Sequence, residues 1–283
     1  MFREQILIAG NEPRTAEVYL GHVAQLAEHY RTSPEQLSEV QVRKYLLLRK
    51  EQLKLDSMRP LVAALKFFFT HTQPRDWQTL RAIRIPKVRT LPIVLIPEKA
   101  WQFIEATDSL HWQVFFRTAF TTGLRPGDAR QLSVHDVDAD RMQLHIRKTK
   151  NSNERFVPLP SATLLSLREY WQTHRNPKWL FPSRANLRQL HAAASPVSAR
   201  SVQRAFQRVV ASLGWKILGL RPHTLRHSYA TAMLEAGVSL RVLQSYLGHR
   251  NLQATEIYLH LTRHSDEKAR KIVQQLMNGP VKP

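Results

Sequence analysis

Cysteine is absent from the 283 residues, which excludes disulfides, thiolate zinc sites and a cysteine nucleophile and fits the cytoplasm as working compartment. Glycine is scarce, nine in all, and neither GxGxxG nor GxxxxGKS/T occurs, so no loop of the kind that cradles a nucleotide is available. No apolar run approaches the roughly 20 residues of a membrane span. The opening stretch MFREQILIAGNEP has neither the apolar core nor the small-residue cleavage site of a secretory signal. Negative charge is the other shortage: 22 Asp and Glu face 42 Lys and Arg, leaving +20. Such a chain attracts polyanions, with nucleic acid and an anionic membrane surface as the candidates. Arginine outnumbers lysine 29 to 13, which favours forked recognition of phosphate, and no helix pairs a basic face with the large aromatic face of a membrane-surface helix. The excess is also uneven. Residues 1–90 carry 15 basic and 9 acidic side chains, whereas residues 141–250 carry 18 and 3, so the second half has the charge footprint of nucleic-acid contact.

What is present is a chain able to bury a core: 43% hydrophobic, 23% charged and long enough for two domains. Ala16, Tyr19, Leu20, Val23, Leu26, Ala27 and Tyr30 recur at helical steps. Ser33-Pro34-Glu35 predicts the start of a second helix running to about Leu53, and Leu61, Leu65, Phe68 and Phe69 predict a third from Ser57 to about Thr70, with Pro60 in its first turn. This gives a helical domain over 1–83. A proline-rich, acid-free basic stretch over 84–97, with Lys87 and Arg89, predicts an extended linker lying against the ligand. Residues 98–283 form the second domain. Helices are expected over 98–105, 112–121, 161–174 and 198–213. Between them Gln143–Arg147 and Arg155–Leu159 alternate as the arms of a β-hairpin with a basic tip. Further helices are expected over 224–235, 240–247, 251–259 and 265–277. The fold class is therefore mainly α with a small antiparallel hairpin sheet, an α+β arrangement.

Three segments carry candidate chemistry. Pro222 precedes His223-Thr224-Leu225-Arg226-His227, so His223 and Arg226 share the first turn of a helix, where free N–H groups already favour an anion. His223 and His227 are also spaced to share a metal, but no HExxH glutamate or cysteine accompanies them. His249 sits just past the Gly248 helix stop, and Tyr258 follows nine residues later. Upstream, Gly123 and Pro126 enforce a turn that holds Arg125, with Asp128 three residues on and able to fix that arginine or a neighbouring histidine. Arg200, Arg204 and Arg208 align at four-residue spacing on the polar side of their helix, a side suited to a groove or to phosphates.

In order and spacing, TGLRPGDARQL at 122–132, the hairpin lysines ahead of Glu154-Arg155-Phe156-Val157-Pro158-Leu159, HTLRHSYATAML, LGH and the tyrosine nine residues later resemble the tyrosine recombinase (phage integrase) family, and in particular its simple two-domain members. The resemblance implies a core-binding, DNA-clamping first domain and a catalytic second domain whose 265–277 helix couples neighbouring protomers. It implies that Arg125, His223, Arg226 and His249 line the scissile phosphate and that Tyr258 is the nucleophile. Asp128 takes the supporting acidic position. Lys150 takes the hairpin-lysine position, with Lys148 two residues away on the same side. Arg147, Lys148, Arg200, Arg204, Arg208, Lys87 and Arg89 are the expected further DNA contacts.

The reaction implied is a DNA transesterification. The tyrosine attacks phosphorus, a 3′-phosphotyrosyl link stores the bond, and a second strand's 5′-hydroxyl later reseals it without ATP. Two guanidiniums suit the added charge of the transition state. His223 is the candidate base for the tyrosine, His249 a donor to phosphate and Lys150 the acid for the leaving oxygen. No metal or other cofactor is expected. The partners are double-stranded DNA and further copies of the chain, a dimer per site and a tetrameric synapse, with no membrane. Two rival readings remain: a non-catalytic DNA-binding accessory protein, and a type IB topoisomerase-like enzyme.

Overall fold

A computed structural model describes residues 2–86, 91–147, 154–184 and 187–261. The chain divides into two compact units, 1–90 and 91–283. In the first, α1 (Phe2–Ile8), α2 (Pro13–Tyr30), α3 (Glu39–Gln52), α4 (Leu55–Phe67) and α5 (Gln78–Ala82) enclose Leu26, Leu37, Val42, Leu61, Leu65 and Phe69. Two of the expected boundaries differ. Ser33-Pro34 opens only a 3₁₀ turn, Pro34–Gln36, because Leu37 must run extended to bury its side chain. The true cap is Ser38: its hydroxyl accepts from the Gln41 backbone, whose side chain accepts from the Ser38 N–H at 2.9 Å, a reciprocal capping box. The third helix starts at Leu55, so Pro60 lies in its second turn. That helix passes at Phe68 into a π turn, Phe68–Thr72, which lets two adjacent phenylalanines both enter the core with their rings edge to face.

The second unit opens with α6 (Pro97–Glu105), α7 (Leu110–Thr121) and the one-turn α8 (Pro126–Ala129). An antiparallel sheet follows, β1 (Val137–Asp138), β2 (Gln143–Ile146) and β3 (Arg155–Pro158) in that order, one strand more than the expected hairpin. Register pairs Leu144 with Val157 and Ile146 with Arg155. Leu144, Ile146 and Val157 face the core, so strand parity carries Arg155 inward while Phe156 lies outside, stacked on His145. Next come α9 (Ser161–His174) and α10 (Ala199–Ser212), the latter capped by Ser198. Its Val202, Ala205, Phe206, Val209 and Val210 are buried, Phe206 against Phe103 and Phe116 of the first two helices. Helix α11 (His223–Glu235) packs against α7, α6 and α12 (Leu240–Leu247). Gly248 closes α12 in the left-handed conformation, φ 62°.

The stretch expected as one helix over 251–259 is instead a single turn, α13 (Gln253–Glu256), followed by a 3₁₀ turn at Leu259–Leu261. Tyr258 lies between them, its N–H bonded to the Thr255 carbonyl at 3.1 Å, and this tighter winding turns its ring into the core. The fold is therefore mainly α with one small antiparallel sheet. The linker residues Lys87 and Arg89, the hairpin tip with Lys148 and Lys150, and the 265–277 helix lie outside the described residues.

Gly123 is one place where the backbone admits no other residue. It ends α7 at φ +63°, and a Cβ there would sit 2.3 Å from the Tyr229 ring. Left-handed strain and overpacking combine, so Gly123→Ala is expected to destabilise the chain by about 2–4 kcal/mol in denaturant unfolding. An unchanged midpoint would mean the Tyr229 ring is free to move aside.

Candidate active site

Three short segments of the second unit meet at one helix end. Leu247 is the last residue of α12, and its carbonyl, at the negative end of the helix dipole, accepts from Arg226 Nη2 at 2.7 Å and, more loosely, from Arg125 Nη1 at 3.5 Å. Arg226 also donates Nη1 to the Gly123 carbonyl at 2.9 Å, so the turn that positions Arg125 and the helix that carries Arg226 are tied to each other. Asp128 Oδ2 lies 3.7 Å from Arg125 and 3.2 Å from Arg155, whose Nε donates to the Tyr246 carbonyl. Arg125 and Arg155 thus share one buried carboxylate, and all three guanidiniums reach backbone carbonyls.

Histidine and tyrosine complete the cluster. Arg226 Nη2 donates to His249 Nε2 at 2.9 Å, which leaves His249 Nδ1 to carry the proton it gives to the Thr255 hydroxyl at 2.8 Å. The rings of His249 and Tyr258 lie nearly parallel with centroids 6.4 Å apart. Tyr258 is 2% exposed, and its hydroxyl is 2.9 Å from His227 Nδ1. His223, exposed at the start of α11, stands one turn before His227, with ring centroids 6.5 Å apart.

The electrostatics follow from burial among cations. Burial, then Arg226, Arg125 and Arg155, push His249 down to about 3, and burial with His223 and Arg226 pushes His227 down to about 4. Burial and Arg125 lower Arg226 to about 9, which leaves it charged at neutral pH. Burial raises Tyr258 above the ordinary phenol range, opposed by Arg226 and Arg125. The pocket is short of negative charge and suited to a tetrahedral anion.

Arg125, Asp128, His223, Arg226, His249 and Tyr258 all lie in or beside this cluster. Arg200, Arg204 and Arg208 are exposed along α10, and Arg204 and Arg208 line a cleft of about 1200 Å³ with Arg184 and Lys216. Arg147 donates Nε to the buried Asp136 at 2.8 Å, so it is held at the end of the sheet. Two participants escaped the sequence reasoning. Arg155 is recoverable from strand parity with Val157. The sequence offers His227 only as a metal ligand, and its contact with Tyr258 spans 31 residues of chain. Among the described residues no group of three or more histidine or acidic side chains is arranged to hold a metal ion, and no helix is long and apolar enough to cross a membrane.

This cluster, on a helical unit with a small sheet, sets a buried phenol among cationic side chains. Residues 95–265 match the model of the phage integrase family, and residues 1–79 match a phage integrase N-terminal SAM-like domain. The chain belongs to the phage integrase family, the tyrosine recombinases. A Sinorhizobium fredii protein named as an integrase/recombinase, y4qK, is 33% identical over 86% of this chain and 77% of its own length. Tyrosine recombinase XerA of Pyrococcus horikoshii is 29% identical over 82% and 80%. Among solved structures, the Tn1549 transposon integrase in complex with transposon right end DNA superposes with a TM-score of 0.71 at 17% identity, covering 98% of each chain.

Of the depressed histidines, the two shifted furthest within the site, His227 and His249, give a pH signature. Unfolded, each takes a proton near 6.5; folded, neither does until about 4 or below, so their stabilisation is full above 6.5 and is lost as pH falls toward 4. The melting temperature should fall over that window, and His249→Gln, which cannot titrate, should fall less steeply. Equal slopes would show that His249 is not held neutral.

Proposed function

We propose that the chain is a site-specific DNA recombinase that cleaves and rejoins strands through a 3′-phosphotyrosyl intermediate on Tyr258. The observation that carries this reading is the meeting of Arg125 and Arg226 at one carbonyl, with the Tyr258 hydroxyl in the same buried cluster. A phosphodiester at that point can take charge-assisted bonds from both guanidinium forks. Charge that grows on its non-bridging oxygens is met by cations already in place. Asp128 braces Arg125 and Arg155, while His223 and His249 line the phosphate. Lys150 delivers the proton to the leaving 5′ oxygen, with Lys148 as its neighbour on the hairpin.

Around this centre, Lys87, Arg89, Arg147, Lys148, Arg200, Arg204 and Arg208 contact the DNA backbone. Residues 1–83 clamp the duplex and 84–97 lie along it. The chain acts in the cytoplasm as a dimer per site and a tetramer in synapsis, with the 265–277 helix linking protomers. Solved relatives support the DNA partner and the dimer, since one is a λ integrase dimer bound to a core site.

Tyr258→Phe is expected to keep DNA affinity and to form no covalent complex on a nicked suicide substrate, because only the nucleophilic oxygen is removed. A phenylalanine variant that still forms the adduct would remove Tyr258 from the role, and a wild type that forms none would favour an accessory protein. Binding should also weaken steeply with salt, by a log–log slope of about −0.9 for each phosphate neutralised. A flat salt dependence would contradict the proposed cationic footprint.

A further inference from the structure

We infer that His227, rather than His223, accepts the proton of the Tyr258 hydroxyl when that oxygen attacks phosphorus. The inference rests on the reading of Tyr258 as nucleophile and adds a residue to it.

The geometry leaves few acceptors. The Tyr258 side chain is buried, so bulk water does not reach it. Arg226, its charged neighbour, has no acceptor lone pair. His249 has both ring nitrogens engaged, Nε2 by Arg226 and Nδ1 by Thr255, and would have to give up one bond to take a proton. His223 lies a helical turn away at the exposed end of α11. His227 Nδ1 is 2.9 Å from the hydroxyl oxygen, within the reach required of a general base. The ring is kept neutral by burial and by the charges of His223 and Arg226, so its lone pair is present at any working pH. The same cations that make it a weak base at rest are offset once a phosphate anion occupies the cluster, which raises its basicity where it is needed.

The step balances. The Tyr258 Oη–H bond breaks and its proton passes to His227 Nδ1 as the Oη–P bond forms. The P–O5′ bond breaks, and the 5′ oxygen takes a proton from the leaving-group side, Lys150 in the reading above. On rejoining, the incoming 5′-hydroxyl returns its proton to the group on the leaving-group side, Lys150 in the reading above, as it displaces the tyrosine, and His227 returns its proton to Oη.

The tautomer tests this on the wild-type protein without any variant. Imidazole ¹⁵N NMR should find His227 neutral with the proton on Nε2 and Nδ1 as acceptor. A proton on Nδ1, with histidine donating to the phenol, overturns the assignment. Kinetics give the second test, as single-turnover adduct formation on a suicide substrate. His227→Ala and His227→Asn should each bind DNA as wild type does and slow cleavage by about 10²-fold or more. Asparagine places an amide near Nδ1, so it can keep the hydroxyl in position without basicity. A His227→Asn enzyme within about fivefold of wild type would reduce His227 to a positioning residue and contradict the inference. Both variants should stay slow on DNA with a bridging 5′ sulfur, which leaves without protonation; restoration of rate by sulfur would place His227 on the leaving group instead. Tyr258→Phe run alongside separates the two levels: an adduct from that variant sinks the nucleophile reading itself, whereas fast His227 variants beside an inert Tyr258→Phe sink only this assignment.

Discussion

The carbonyl at the end of α12 is the point on which the site depends. Guanidiniums are costly to take out of water, and Arg226 is 3% exposed, with Arg155 at 8%. The protein offsets that cost with partial charges, the Leu247, Gly123 and Tyr246 carbonyls, and with a single buried carboxylate, Asp128. Carbonyl dipoles fill hydrogen bonds but do not cancel net charge, so the cluster retains a positive field in a medium that screens weakly. The depressed histidines record that field from the inside. In the proposed reaction a phosphodiester brings the missing negative charge, and bond formation adds more of it on the same oxygens. Affinity for the transition state over the ground state follows from that arrangement.

The packing of the second unit serves this point. Gly123 brings the turn carrying Arg125 close enough for its carbonyl to reach Arg226, and the Tyr229 ring fills the space a side chain would take. Ser228, one turn beyond Thr224 on α11, has its hydroxyl against the Leu95 N–H at 2.8 Å, anchoring the chain just ahead of α6. Gly248 stops α12 so that Leu247 ends with its carbonyl unspent and His249 turns back toward Arg226. Helix ends, whose backbone groups lack partners within the helix, supply the site with both its acceptors and its fixed geometry.

Much of this was legible in the sequence because it rests on local chemistry. The Gly248 stop, the helical spacing of residues 16–30 and the alternation of the two hairpin arms all act within a few residues of themselves, and the fold class followed from such patterns. The resemblance to the tyrosine recombinases singled out Arg125, His223, Arg226, His249 and Tyr258 as one set, and the fold brings them together. Where reading failed, tertiary demands had outweighed local signals. Ser33 and Ser38 are both good caps, and the burial of Leu37 decides between them. The 251–259 stretch has a helical pattern, yet the Thr255 hydroxyl is engaged by His249 and the Tyr258 hydroxyl by His227, and the chain winds tighter to reach both. Two histidines four apart announce only a shared face; which ring meets the phenol is set by packing 31 residues away.

The most direct test of the central claim is chemical mapping of the protein–DNA bond. Wild-type protein is trapped on nicked double-stranded DNA, digested with protease and nuclease, and the adducted peptide is sequenced by mass spectrometry. The account predicts a nucleotide remnant joined through phosphate to the Tyr258 side chain and to no other residue. A remnant on a different side chain, or a covalent bond formed equally well when Arg226 is replaced by alanine, would contradict it.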